Sequence, residues 1–126
     1  MTARRTQQGP VAAPGDYLYG CLLLLLAESP SYGYGLAARL SELGLANVDS
    51  GKVYRALRRL DADGLLESWW EPGAGPARRS YAVTPAGVEY LETCASTVAA
   101  SSRTLGDFLA RQRRLAAPRL RAAASA

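Results

Sequence analysis

The chain has 126 residues, is 48% hydrophobic and 21% charged, and carries a formal net charge of +4. That fits one small globular domain with a short extension, and permits an anionic partner without requiring one. Histidine is absent, which removes the commonest general base and metal ligand. Cys21 and Cys94 stand too far apart for metal or redox spacing and read as two reduced, packed thiols. No catalytic group, metal site or cofactor is therefore expected, and the chain does not read as an enzyme. Lys52 is the single lysine among 15 basic residues. So strong a bias points to genome composition, and the information lies in where the arginines fall.

In chain order, residues 1–14 carry Gly9, Pro10 and Pro14 with little apolar periodicity and predict a flexible arm. A first helix is expected from Asp16, as N-cap, to about Glu28. Its run LYGCLLLLLA, 18–27, is about half the roughly 20 residues a membrane span needs. Arg4 and Arg5 imitate a signal-peptide start, but Pro10, Pro14 and Asp16 intervene and no small-residue cleavage site follows. A buried helix of a cytoplasmic protein, with no membrane partner, is the expectation. Because its leucines run all round the helix, a partner subunit is expected to cover part of it, at Leu22 and Leu26.

The turn ESPSYGYG leads to a second helix expected over 33–43, with Leu36, Leu40 and Leu43 on one face and Gly44 as its stop. Asp49 or Ser50 can cap a third helix. At 100° per residue, Val53, Ala56, Leu57 and Leu60 form a core stripe. Lys52, Arg55, Arg58 and Arg59 spread over the opposite side, Tyr54 lies on the flank, and Gly64 ends the helix. Strand-like LLESWWE (65–71), the loop PGAGPA and a second strand RRSYAV (78–83) predict a hairpin with a long loop.

Thr84-Pro85 then opens a long helix, Thr84 as N-cap and Pro85 at the first helical position, with Val83 and Val88 spaced for a hydrophobic staple. Along it Val88, Leu91, Ala95, Val98, Ser102, Leu105, Leu109 and Gln112 alternate spacings of three and four, a heptad stripe that suits packing on another chain. Pro118 and the alanines after it predict a frayed tail.

Three helices, a hairpin and a long helix give the fold class: mainly α (α+β), a winged helix-turn-helix with a two-stranded wing and a long C-terminal dimerisation helix. Taken alone, a basic helix face is more often solvated surface than a DNA reader. Here the order of elements brings it together with a second basic pair, Arg78-Arg79, beside the hairpin loop. Arginine suits both phosphate oxygens and the guanine edge. Arg103, Arg111, Arg113 and Arg114 read as a solvated helix face.

The segments SYGYGLAARL (31–40), GKVYRALRRLDADGLLES (51–68) and GPARRSYAVTPAGVEYL (75–91) resemble the PadR family of bacterial transcription factors. The resemblance covers about residues 17–91. It implies a winged-helix DNA-binding domain over 15–84 and a dimerisation helix over 85–116, with double-stranded operator DNA and a second copy as partners; residues 117–126 are left as the flexible tail. It also implies repression of nearby genes. Carried over by motif, Ser50, Lys52, Tyr54, Arg55 and Arg59 are major-groove candidates and Arg58 a phosphate candidate. Tyr34 supports the third helix or meets the DNA backbone, and Arg78 and Arg79 form the wing's basic pair.

The single C-terminal helix resembles the family's smaller branch, in which the last and first helices build the dimer. The dimer set is then Leu22, Leu26, Val88, Leu91, Ala95, Val98, Leu105 and Leu109. Some relatives hold flat aromatic effectors between subunits, which makes Trp69, Trp70, Tyr90 and Phe108 the effector-pocket candidates. The sequence departs from the family pattern at Ser80 and Ala82, and the operator does not carry over. Two other readings stay open. One is a ligand or drug sensor whose dimer-interface pocket is its main property. The other is a winged-helix interaction module without DNA binding.

Overall fold

The computed structural model describes residues 14–32, 35–73, 75 and 78–125. The expected arm before Pro14, and Tyr34, lie outside the described residues. By contact the chain falls into two units, 13–95 and the segment from Ser96 onward.

Helix α1 spans Pro14–Glu28, starting two residues before the expected Asp16. Proline suits a first helical turn, where its missing N–H costs nothing. A two-residue strand β1, Ser31–Tyr32, follows; two residues carry no periodicity from which it could have been expected. Helix α2 is confined to Leu36–Leu40 and tightens into a 3-10 turn, Ser41–Leu43. It is shorter than the expected 33–43 because Gly35 takes the left-handed region at φ 88°, which ends helical geometry on its N-terminal side. Gly44, also at φ 88°, closes the turn as expected.

Helix α3 is Ser50–Ala62, strand β2 Leu66–Glu71 and strand β3 Arg78–Val83. The sheet order is β1-β3-β2, antiparallel throughout, so the expected two-stranded wing gains a short third strand through Ser31↔Tyr81 and Tyr32↔Ser80. Helix α4 runs from Pro85 to Ser125, nine residues past the expected end at 116. Pro118 withholds one backbone donor there, but the alanines around it have the highest helix propensity.

The core of residues 13–95 is built by Leu18, Cys21, Leu22, Leu23, Leu25 and Leu26 of α1, Leu36 and Leu40 of α2, the α3 stripe, Leu66 and Tyr81. Each fully buried leucine contributes roughly 1.5–3 kcal/mol. One expectation is corrected here. Leu22 and Leu26, placed at a subunit interface on sequence grounds, are 0% and 1% exposed within the single chain. Helices α2 and α3 and strand β3 pack on α1, and at this burial neither leucine presents surface to a second copy. Cys21 is buried and Cys94 half-buried, and neither is in a disulfide among the described residues.

Candidate nucleic-acid interface

The helix-turn-helix is held by named contacts. The Tyr17 hydroxyl of α1 donates to the Leu43 carbonyl at 2.7 Å, and the Leu45 amide donates to Leu40 at 3.1 Å. Asn47 stands at φ 66°, a left-handed position that asparagine tolerates better than most residues. Of the two expected caps, Asp49 does the work. Its Oδ1 accepts from the Lys52 amide at 2.8 Å, and Ser50 becomes the first helical residue. A cap of this kind stabilises a helix by about 1 kcal/mol.

Helix α3 presents the two faces read from its sequence. Val53, Ala56, Leu57 and Leu60 are buried, while Ser50, Lys52, Arg55, Arg58 and Arg59 are exposed. Tyr54 is 37% exposed, as its flank position predicts. Among the described residues, no hydrogen bond or ion pair holds the side chains of Lys52, Arg55 or Arg58. Arg59 differs: its Nε donates to Asp63 Oδ2 at 3.1 Å, one helical turn on.

The wing is anchored to α3 by a cluster that the sequence did not disclose. Ser68 Oγ donates to Asp61 Oδ2 at 2.5 Å. Arg79 Nε donates to Ser68 Oγ at 3.0 Å, and its Nη2 reaches Asp61 Oδ2 at 3.4 Å. The same guanidinium lies 5.4 Å from the centroid of the Trp70 ring, within cation–π range. Register explains the grouping. Trp70 is paired with Arg79 and Ser68 with Tyr81, so Ser68 and Trp70 share the face that Arg79 crosses. In sequence Asp61 is one acidic residue at the end of a basic helix. Its partners are 7 and 18 residues away, beyond any local pattern.

Arg78 opens β3, exposed and opposite Glu71. Tyr81 is buried between the sheet and the helices, which pushes its phenol above the ordinary value; Arg79 and Arg58 nearby pull the other way. At the hinge between β3 and α4, Thr84 Oγ1 donates to the Gly64 carbonyl at 2.7 Å and accepts from the Gly87 amide at 3.1 Å. The expected N-cap therefore also ties α4 to the end of α3.

The other candidates are dispersed. Trp69 is 39% and Trp70 61% exposed, on opposite faces of β2. Tyr90 is half-buried against the core of residues 13–95. In the segment from Ser96 onward, Phe108 is exposed. Of the remaining dimer candidates, Leu91 is half-buried, Val88 and Ala95 are exposed, and so are Val98, Leu105 and Leu109 farther along α4. Among the described residues, no helix is long and apolar enough to cross a membrane.

Comparison with known proteins agrees with this architecture. Residues 22–93 match the signature of the PadR-like transcriptional regulator family. A transcriptional regulator of Mycobacterium tuberculosis is 44% identical over 61 residues, 48% of this chain. An uncharacterised 37.1 kDa protein of a Streptomyces fradiae transposon is 35% identical over 78 residues, 62% of this chain. The chain spans 56% of the first and 22% of the second of these relatives. Among solved structures, a PadR-like transcriptional regulator from Bacillus cereus superposes with a TM-score of 0.65 at 31% identity, covering 73% of this chain and 90% of that one. A PadR family transcriptional regulator from Eggerthella lenta gives 0.64 at 29%, covering 73% and 80%. The family signature spans more than half of the 126 residues, and the winged helix-turn-helix it describes is the fold seen here: the chain belongs to the PadR-like family of transcriptional regulators.

Proposed function

We propose that the chain is a cytoplasmic, homodimeric DNA-binding repressor of nearby genes that recognises a pseudo-palindromic operator. The observation that carries this reading is the exposed face of α3, where among the described residues no hydrogen bond or ion pair holds the side chains of Lys52, Arg55 and Arg58. An α-helix of this width fits the major groove, and arginine donors reach both base edges and phosphates. Ser50, Tyr54 and Arg59 complete the helix contacts, and Arg78 lies on the wing beside them. Val88, Leu91, Ala95, Val98, Leu105 and Leu109 of α4 supply the apolar seam for the second copy. Two recognition helices would then sit about one DNA turn apart, or a multiple of it.

The test is a gel-shift and fluorescence-anisotropy titration with the promoter upstream of the chain's own gene. Arg55→Ala and Arg58→Ala should each weaken specific binding by about 1–3 kcal/mol if they touch bases, or lower the salt dependence by about one phosphate if they touch backbone. Affinity unchanged in both variants would refute the assignment of α3.

A second reading, a sensor of flat aromatic ligands, is favoured by the exposure of Trp70 and Phe108. Trp70 would offer its exposed ring to such a ligand, and ligand binding would release the operator. Calorimetric titration of planar aromatic compounds into the dimer, with and without operator DNA, tests it; no heat in either case rejects it.

A further inference from the structure

We propose that Arg79 is a positioning residue, which fixes the wing against the end of α3 rather than holding a DNA phosphate. The proposal rests on the DNA-binding reading above and narrows the role of one wing residue within it.

Three attachments converge on this guanidinium. Its Nε donates to Ser68 Oγ, its Nη2 pairs with Asp61 Oδ2, and its carbon lies over the Trp70 ring. Ser68 closes the figure by donating to the same Asp61 oxygen. Asp61 belongs to the last turn of α3, the helix that carries Lys52, Arg55 and Arg58; Ser68 and Trp70 belong to β2 and Arg79 to β3. One side chain thus ties both strands of the hairpin to the candidate recognition helix. To swing out to a phosphate with its Nε and Nη2, Arg79 would have to leave a carboxylate, a hydroxyl and an aromatic face. It would also leave Asp61 as an unpaired negative charge near the DNA backbone. Lys52, Arg55 and Arg58 have no such partners among the described residues. The two basic groups are therefore energetically different although the sequence shows only arginines. Arginine is the residue the arrangement needs, because a planar fork can bond two acceptors and stack at the same time.

The two roles predict opposite results. With the full-length chain, dissociation constants for the upstream promoter and for a scrambled duplex are measured across a series of salt concentrations. In a positioning role, Arg79→Gln weakens promoter binding about tenfold at every salt concentration, the salt slope unchanged. Asp61→Asn also weakens it, although it removes a negative charge. The double variant is no weaker than either single one, because both remove the same clamp. Arg79→Lys keeps the charge but loses the fork and the stacking, and stays close to Arg79→Gln. A salt slope reduced by about one phosphate contact in Arg79→Gln, or tighter binding by Asp61→Asn, would overturn the proposal. So would wild-type affinity in Arg79→Lys. Arg58→Ala, which leaves the clamp intact, is the control for a phosphate contact. If the wild-type chain binds neither duplex in a salt-dependent way, the DNA-binding reading fails first and this role falls with it. That outcome is visible before any variant is made.

Discussion

Gly87 shows how much one missing methyl group can decide. It is the fourth residue of the Thr84-Pro85-x-Gly87 motif, and its amide bonds to Thr84 Oγ1. A Cβ placed there would fall inside the van der Waals envelope of the Leu65 carbonyl oxygen and 2.7 Å from Val83 Cγ1. The start of α4 can therefore lie against Leu65, in the turn between α3 and β2, only if residue 87 has no side chain. Gly87→Ala should destabilise the chain by about 3 kcal/mol, the upper end of ordinary overpacking costs, read as a lower urea midpoint. Gly106 is the opposite case. It lies inside α4, and nothing stands within 4 Å of where its Cβ would be. Gly106→Ala should stabilise α4 by about 0.5–1 kcal/mol, seen as a raised thermal midpoint of its helical signal. The sequence presents both positions as a glycine in a helix, and only their neighbours separate them. The arginines behave alike in this respect: Arg58 and Arg79 are the same letter, yet one is unclamped and the other has three partners.

Among the elements, α3 was the most legible. Its buried stripe, its exposed basic face and its stop at Gly64 follow from a 100° rotation per residue and one left-handed glycine. Strand β3 was also read to its bounds, because RRSYAV is framed by a proline-rich loop and a helix cap. Helix α1 was read correctly as buried, but its covering was misassigned. A run of leucines says that a helix is enclosed without saying by what, and here α2, α3 and β3 pack on it and Cys94 of α4 lies against Gly20. The clamp of Asp61, Ser68 and Arg79 was illegible for a related reason, since it depends on strand register that no local spacing fixes. Helix α4 keeps the property that made its stripe stand out. Val98, Leu105 and Leu109 remain exposed apolar side chains in the single chain. Because they contribute no core, replacing Leu105 and Leu109 with aspartate should leave the helical signal unchanged in circular dichroism. The same variant should weaken self-association at least about a hundredfold, measured by sedimentation equilibrium. A dimer that survives it would place the subunit contact elsewhere.

At the scale of the whole molecule, three buried or half-buried weak acids set an alkaline limit to stability. Burial pushes Cys21, Tyr17 and Tyr81 above their ordinary values, with the Tyr17 hydrogen bond partly offsetting the shift at Cys21. Above the ordinary thiol value of 9.0 and phenol value of 10.0, the unfolded chain has lost protons that the folded chain still holds. Folding stability therefore falls as pH rises through the folded-state values, and these contributions are fully present below the ordinary ones. Urea midpoints taken at about pH 8 and about pH 10.5 should fall between the two, and the decline should be smaller in Cys21→Ala. The two tryptophans on opposite faces of β2 have a further, optical consequence. Trp69 and Trp70 are the chain's entire indole complement, and both are on the wing. Their emission therefore reports on the wing alone, without an attached dye. Trp70, the more exposed and the one beneath the Arg79 cation, should be the more accessible to iodide, an anionic quencher. A partner that covers the wing should suppress that quenching, while the long helix, which carries no tryptophan, adds nothing to the indole emission.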